Sequence, residues 1–219
     1  MAQLFAPRAD LVLRTAIAFV LLAGAGTAWG AYVALRSPPG TAEGRYVVQP
    51  VPFSHAHHVG GLGLDCRYCH RWASVSSHAG LPDTETCMHC HHELWTDAPV
   101  LEPVRESWRT GEPIAWRRVH DLPDHVFFDH SAHLNGGVGC ESCHGRVDRM
   151  PLVARAAPLQ MGWCLDCHRD PGPRLRPPEA LHTMGWSPPD DGGALAAALL
   201  ERWDTPSTAV LTDCSACHR

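Results

Sequence analysis

Ten cysteines in this 219-residue chain fall in five Cys-x-x-Cys-His motifs: Cys66/Cys69/His70, Cys87/Cys90/His91, Cys140/Cys143/His144, Cys164/Cys167/His168 and Cys214/Cys217/His218. No cysteine is left for any other use. Two thiols at this spacing can add to the two vinyl groups of one porphyrin while the adjacent histidine reaches the iron, which is the attachment signature of c-type haem. A disulfide framework gives no reason for a histidine after every second cysteine, and zinc sites built from paired Cys-x-x-Cys units do not require one there. The motifs therefore predict five covalent haem c groups and their iron, with His70, His91, His144, His168 and His218 as proximal ligands.

Sixth ligands must come from the other eleven of the sixteen histidines, or from methionine, which raises the reduction potential relative to histidine. Phe53-Ser54-His55-Ala56-His57-His58 precedes the first two motifs, and Phe128-Asp129-His130-Ser131-Ala132-His133 precedes the third and fourth, an offset of 75 residues. Each copy reads Phe-x-His-x-x-His, a Gly-rich stretch, motif, motif. Histidines at i and i+3 leave one side of a helical turn yet diverge enough to serve two irons. His55 with His58, and His130 with His133, are accordingly expected to staple neighbouring haems. His120, which leads into the second module, is the next distal candidate, and Met161, just before the fourth motif, is a candidate methionine ligand. His57, His78, His125 and His182 have no spacing that singles them out; His89 and His92 read as exposed or supporting groups.

These sites need little else to position them. If the haem-bearing part begins near residue 38, each haem has fewer than forty residues around it, too few for an ordinary apolar core. The porphyrins must then form the core. Nineteen Gly and nineteen Pro turn the chain about them. The expected fold is a multihaem cytochrome c, mostly irregular coil with short α-helices and little or no β, plus one N-terminal transmembrane helix. Thr15 to Leu35 is an uncharged run that spans about 31 Å as a helix, enough to cross a bilayer. Arg8 and Arg14 precede it, which puts the N-terminus in the cytoplasm and the remainder in the bacterial periplasm. Small residues around Gly24 to Ala28 would also suit a cleaved signal peptide, but the length of the run and Trp29 and Tyr32 at its end favour an uncleaved anchor. The organisation expected is an anchor at 1–36, a Pro-rich tether at 37–52 and a pentahaem domain at 53–219. That domain holds dihaem modules at 53–91 and 128–168 and a fifth haem at 214–218. A formal charge of -5 argues for no nucleic-acid partner. Near the C-terminus, 194–203 reads as one amphipathic helix capped by Asp190 or Asp191.

Pro52-Phe53-Ser54-His55, Cys87-Met88-His89-Cys90-His91, the run from Trp116 through His120, His125, Phe128 and His130 to His133, Cys143-His144-Gly145, Pro158 to Cys164 and the terminal Asp213-Cys214-x-x-Cys217-His218 resemble one family. It is the membrane-anchored pentahaem cytochrome c subunit of bacterial alternative complex III. The resemblance implies a periplasmic electron-transfer subunit in a quinol-oxidising complex, with no catalytic site of its own. It implies as partners polytopic quinol-binding subunits, an iron-sulfur subunit related to molybdopterin oxidoreductases, and a monohaem cytochrome c or terminal oxidase. Carried onto this chain, the family's distal histidines fall on His55, His58, His120, His130 and His133, with Met161 as a possible methionine ligand. Leu211-Thr212-Asp213 departs from the Met-Gly-Gly that some relatives carry before the final motif, which leaves the fifth distal ligand open. Another function consistent with one helix and several haems is a tethered multihaem quinol dehydrogenase subunit of a periplasmic reductase. A catalytic multihaem enzyme would need an open iron, often marked by an unusual proximal residue, and all five proximal residues here are His.

Overall fold

The computed structural model describes Ala6, residues 8–189 and residues 192–218. The chain divides into two compact units, 1–42 and 43–219. The first is dominated by helix α1, Ala9–Arg36, 28 residues with no buried residue and an 18-residue stretch of mean hydropathy 1.8. Asp10 in its first turn pairs with Arg14 one turn later at 3.0 Å. Its end is set by Pro38 and Pro39: the residue before a proline is pushed out of the helical region, and Ser37 is extended at ψ 158. The Ser37 hydroxyl donates to the Ala34 carbonyl at 2.6 Å, satisfying one of the acceptors that a helix end leaves open.

In the second unit the regular elements are short. They are α2 Thr84–His91, α3 Glu102–Thr110, α4 His130–Asn135, α5 Met161–Arg169 and α6 Gly192–Arg202, with single helical turns at Cys66–Cys69, Glu141–His144, Thr208–Leu211 and Cys214–Cys217 and a π-helical turn at Ala56–Gly61. Among the described residues there is no strand, only isolated bridges such as Tyr46 with Ala154 and Val138 with Leu175. The expected coil with short helices is what forms. Aspartates start these turns: Asp65, Asp83, Asp129 and Asp213 each accept a backbone N–H from two or three residues on, as N-caps. Serine or threonine hydroxyls join three of these caps, donating to Asp83, Asp129 and Asp213.

The Pro-rich stretch expected as a tether makes contacts with the haem-motif part of the chain from Glu43 onward. Gly44 N–H donates to the Arg155 carbonyl at 2.8 Å, and the Gln49 amide both donates to and accepts from the Arg117 backbone. Val51 is buried with Leu101 and Val104, against which Cys87, Met88, Ile114 and Trp116 pack. The C-terminal helix forms as α6; its expected caps, Asp190 and Asp191, lie outside the described residues. Helix α3 was not marked by the sequence reading; it buries Val104 and Ser107 and ends at Gly111, which sits at φ 77 as a helix-ending glycine.

Apolar burial is thin. Among the described residues no large side chain is less than 2 % exposed. One buried ion pair compensates locally. Arg176 donates to Glu141 at 3.1 Å and to the Thr183 carbonyl at 2.7 Å, while Glu141 also accepts the Gly185 N–H at 2.6 Å, so residues 176–185 are held against the third motif. Removing one partner of a buried pair strands the other charge. Arg176→Met is therefore expected to destabilise the protein by about 3 kcal/mol, read as a lowered midpoint in thermal unfolding. An unchanged midpoint would mean that the pair holds nothing in place.

Candidate haem-ligand pairs

Each motif histidine has its Nδ1 or its ring face fixed by the chain. His70 Nδ1 lies 2.8 Å from the Gly80 carbonyl, His91 Nδ1 3.1 Å from Leu94 O, His168 Nδ1 2.7 Å from Leu211 O and His218 Nδ1 3.0 Å from His125 O. A carbonyl only accepts, so Nδ1 carries the proton in each case. That choice of tautomer leaves the Nε2 lone pair free for a metal. The same holds for four histidines outside the motifs: His58 donates to Ser54 O at 2.9 Å, His130 to Ser77 O at 2.8 Å, His133 to Asp129 O at 2.7 Å and His92, which faces no motif histidine, to Met88 O at 2.7 Å.

These imidazoles face one another in pairs. Ring centroids are 6.5 Å apart for His55 and His70, 6.3 Å for His58 and His91, 6.4 Å for His130 and His144, 6.0 Å for His133 and His168, and 5.6 Å for His125 and His218. Two metal–nitrogen bonds of about 2.0 Å, plus about 1.1 Å from each nitrogen to its ring centre, put roughly 6.2 Å between two imidazoles that share a metal. Among the described residues no group of three or more His, Cys, Asp or Glu side chains converges on a point that would hold a bare metal ion. The pairs suit an iron whose remaining ligands come from a porphyrin. An apolar cleft lined by Phe128, His130, His133, Leu134, Cys140 and Cys143 brings the third motif's two thiols and two histidines of α4 into one space, as such a group requires.

The two modules repeat in three dimensions. Phe53 meets His55 edge-on at 4.9 Å and lies over His58 at 4.2 Å; Phe128 meets His130 at 4.8 Å and lies over His133 at 4.5 Å. One phenyl ring thus sets the angle between the two imidazoles of each turn. Burial lowers His55 to about 4 and His144 to about 3, so both are neutral, the form in which imidazole ligates.

His120, expected as a distal ligand, stands beside His144 at 4.4 Å and 75°, too near to share a metal with it from the opposite side. It is neutral through burial, its value lowered to about 4, and its Nε2 is buried without a hydrogen-bond partner. His125, which the sequence reading did not single out, faces the fifth motif instead. Only the return of the chain 93 residues later brings His218 to it, with Phe127 N–H donating to Cys217 O at 2.8 Å, so no local spacing could have found it. Met161 is the first residue of α5 and is 67 % exposed, and the histidine of its own motif already faces His133.

The short helices, coil and paired imidazoles are those of the multihaem cytochrome c fold. Residues 126–219 match the family described as cytochrome c7 and related cytochrome c. The chain is also similar to the multihaem cytochrome c subunit of a menaquinone reductase from Nitratidesulfovibrio vulgaris (strain Hildenborough), 39 % identical over 102 residues. That match covers 46 % of this chain and 48 % of the relative, so the chain spans about half the length of the curated relative it matches.

Gly80 shows how tightly the proximal side is held. It sits at φ +79, and a Cβ there would lie 2.8 Å from Trp72 Cδ1, while its carbonyl is the acceptor for His70. Gly80→Ala is expected to cost about 2 kcal/mol from the left-handed backbone and the Trp72 contact. Because the His70 hydrogen bond would shift with it, one step of a potentiometric titration should move relative to wild type. An unmoved titration would show that this carbonyl does not tune the ligand.

Proposed function

We propose that this chain is a membrane-anchored electron-transfer subunit carrying five haem c groups on the periplasmic side, between a quinone-reactive membrane partner and a periplasmic redox partner. The observation that carries the reading is the set of five facing histidine pairs, each containing one motif histidine. Bound haem supplies one-electron exchange between ferric and ferrous iron.

The residues of the chain divide the remaining work. Cys66 and Cys69 with His70 and His55 would hold the first group, and Cys87 and Cys90 with His91 and His58 the second. Cys140 and Cys143 with His144 and His130 would hold the third, and Cys164 and Cys167 with His168 and His133 the fourth. Cys214 and Cys217 with His218 and His125 would hold the fifth, whose distal ligand the family pattern leaves open. With two imidazoles at each iron, none is left open for substrate, which supports a conduit rather than a catalyst. Helix α1 supports the anchor, being long and apolar enough to span a bilayer by length and composition. A single helix cannot enclose a quinone site, so such a site belongs to partners.

The resemblance to the alternative complex III subunit favours electrons arriving from quinol and leaving toward a cytochrome c or oxidase, with polytopic and iron-sulfur subunits as neighbours. The second reading reverses the flow, toward quinone. It is favoured by the similarity to a subunit of a menaquinone reductase.

Intact mass of the matured protein should show five haem additions, and low-temperature EPR of the oxidised protein should show low-spin iron only. His125→Ala should convert one haem to high spin, whereas His120→Ala should leave every haem low-spin. The opposite outcome for these two variants would make His120, not His125, a distal ligand, and a high-spin signal in the intact wild-type protein would overturn the conduit reading.

A further inference from the structure

We infer that the electron path runs out of sequence order, through the second motif, then the first, the third, the fourth and the fifth, because the two modules dock through their first motifs across an internal two-fold. This rests on the reading that each motif carries a haem. The docking contacts are reciprocal. Ala56 N–H, one residue after His55, donates to Met150 O at 3.0 Å, and Met150 lies six residues after His144. Ser131 N–H, one residue after His130, donates to Ser76 O at 3.1 Å, and Ser76 lies six residues after His70. The same position of each module thus bonds the same position of the other, the pattern of an isologous interface. His130 and Asn135 add bonds from α4 to Ser77 O and Ser74 O, at 2.8 and 2.9 Å.

A two-fold brings like to like. The first motif of each module meets the first motif of the other, and the Cys66 and Cys140 thiols are electrostatic neighbours. His144, at the centre, has His55 and His70 of the other module among its electrostatic neighbours. Within each module one helical turn joins the two motifs, through His55 and His58 on one side and His130 and His133 on the other. Tyr68 in the first motif and His89 in the second bond at 2.8 Å. The fifth motif attaches beyond the fourth: His168 donates to Leu211 O at 2.7 Å, and Cys164 and Cys217 are electrostatic neighbours.

Exposure agrees with this order. The cysteines classed as exposed are Cys90 and Cys214, one in each motif that the order puts at an end. Residues 92–127 then serve as a return connection, carrying the chain from one end of the path back to its middle. Partners exchanging electrons with this subunit would meet it at the second and fifth motifs.

Electron cryo-microscopy of the holoprotein in its native complex tests the order directly. Between modules, the irons of the first and third motifs should be nearest neighbours, with those of the second and fourth on opposite outer sides. A second-motif iron nearer to the third-motif iron than the first-motif iron is would overturn it. A kinetic test uses the fact that all native cysteines lie in motifs. Glu85→Cys, on the exposed first turn of α2, would carry a ruthenium photosensitiser that injects an electron at the second motif. Adding His55→Met raises the potential of the first-motif haem and makes it a trap. Arrival at the later haems should slow at least tenfold; an unchanged arrival time would mean that the second haem passes electrons to the third directly. Fewer than five haem additions in the mass would overturn the ligand reading itself, whereas a full count with another iron order overturns only the path.

Discussion

The Nδ1–H to carbonyl bond is the interaction on which the rest of this fold depends. Seven of the histidines that make up the facing pairs donate in this way, and each such bond fixes both the tautomer and the direction of the ring. The acceptors are not all local. Ser54 O and Asp129 O come from the same turn as their histidines, but Ser77 O reaches His130 from the other module, and Leu211 O reaches His168 across 43 residues. Loops in such a chain cannot be arbitrary coil, because each must deliver a carbonyl to a ring. Gly80 is the clearest case, a positive-φ residue whose carbonyl is needed where any side chain would press on Trp72.

The same constraint explains why so few residues form regular structure. Ordering a residue costs about 1–2 kcal/mol of backbone entropy, which ordinary domains offset with a buried apolar core. Here the buried apolar residues form small groups, such as Val51, Leu101 and Val104 beside α2. The histidine pairs and the thiol-lined cleft instead surround spaces that a porphyrin would fill. Metal-ligand domains of this sort draw their folding free energy from the bound group. The aspartate caps at 65, 83, 129 and 213 provide short-range order that does not wait for it, since each organises its turn with one side chain.

Much of the site was legible because it is local. His55, His58, His130 and His133 declared themselves through the i, i+3 spacing and its repetition 75 residues on, and each now faces a motif histidine. Residues His120 and His125 sit in one run, five apart, and nothing in that run separates them. In the structure His125 is the one set opposite His218, with a hydrogen bond from Phe127 to Cys217 across 90 residues that no periodicity records. The reciprocal docking of the modules was hidden for the same reason. The repeat could be read, but whether its copies meet head to head or end to end depends on which loop carbonyls reach Ala56 and Ser131.

An internal two-fold also has a consequence for how a short chain can protect a long path. Isologous docking sets the two first motifs against each other, and burial pushes His144 to its neutral form. Sequential stacking of modules would instead bury the second motif against the third and expose the first. The arrangement joins the modules using hydrogen bonds between loops that already exist to orient histidines, so no separate interface has to be built. It leaves exposed cysteines at Cys90 and Cys214, far apart in sequence and in different surroundings, one beside the small apolar cluster around α2 and the other at the C-terminal turn. Two chemically different ends are what a conduit between two different partners requires.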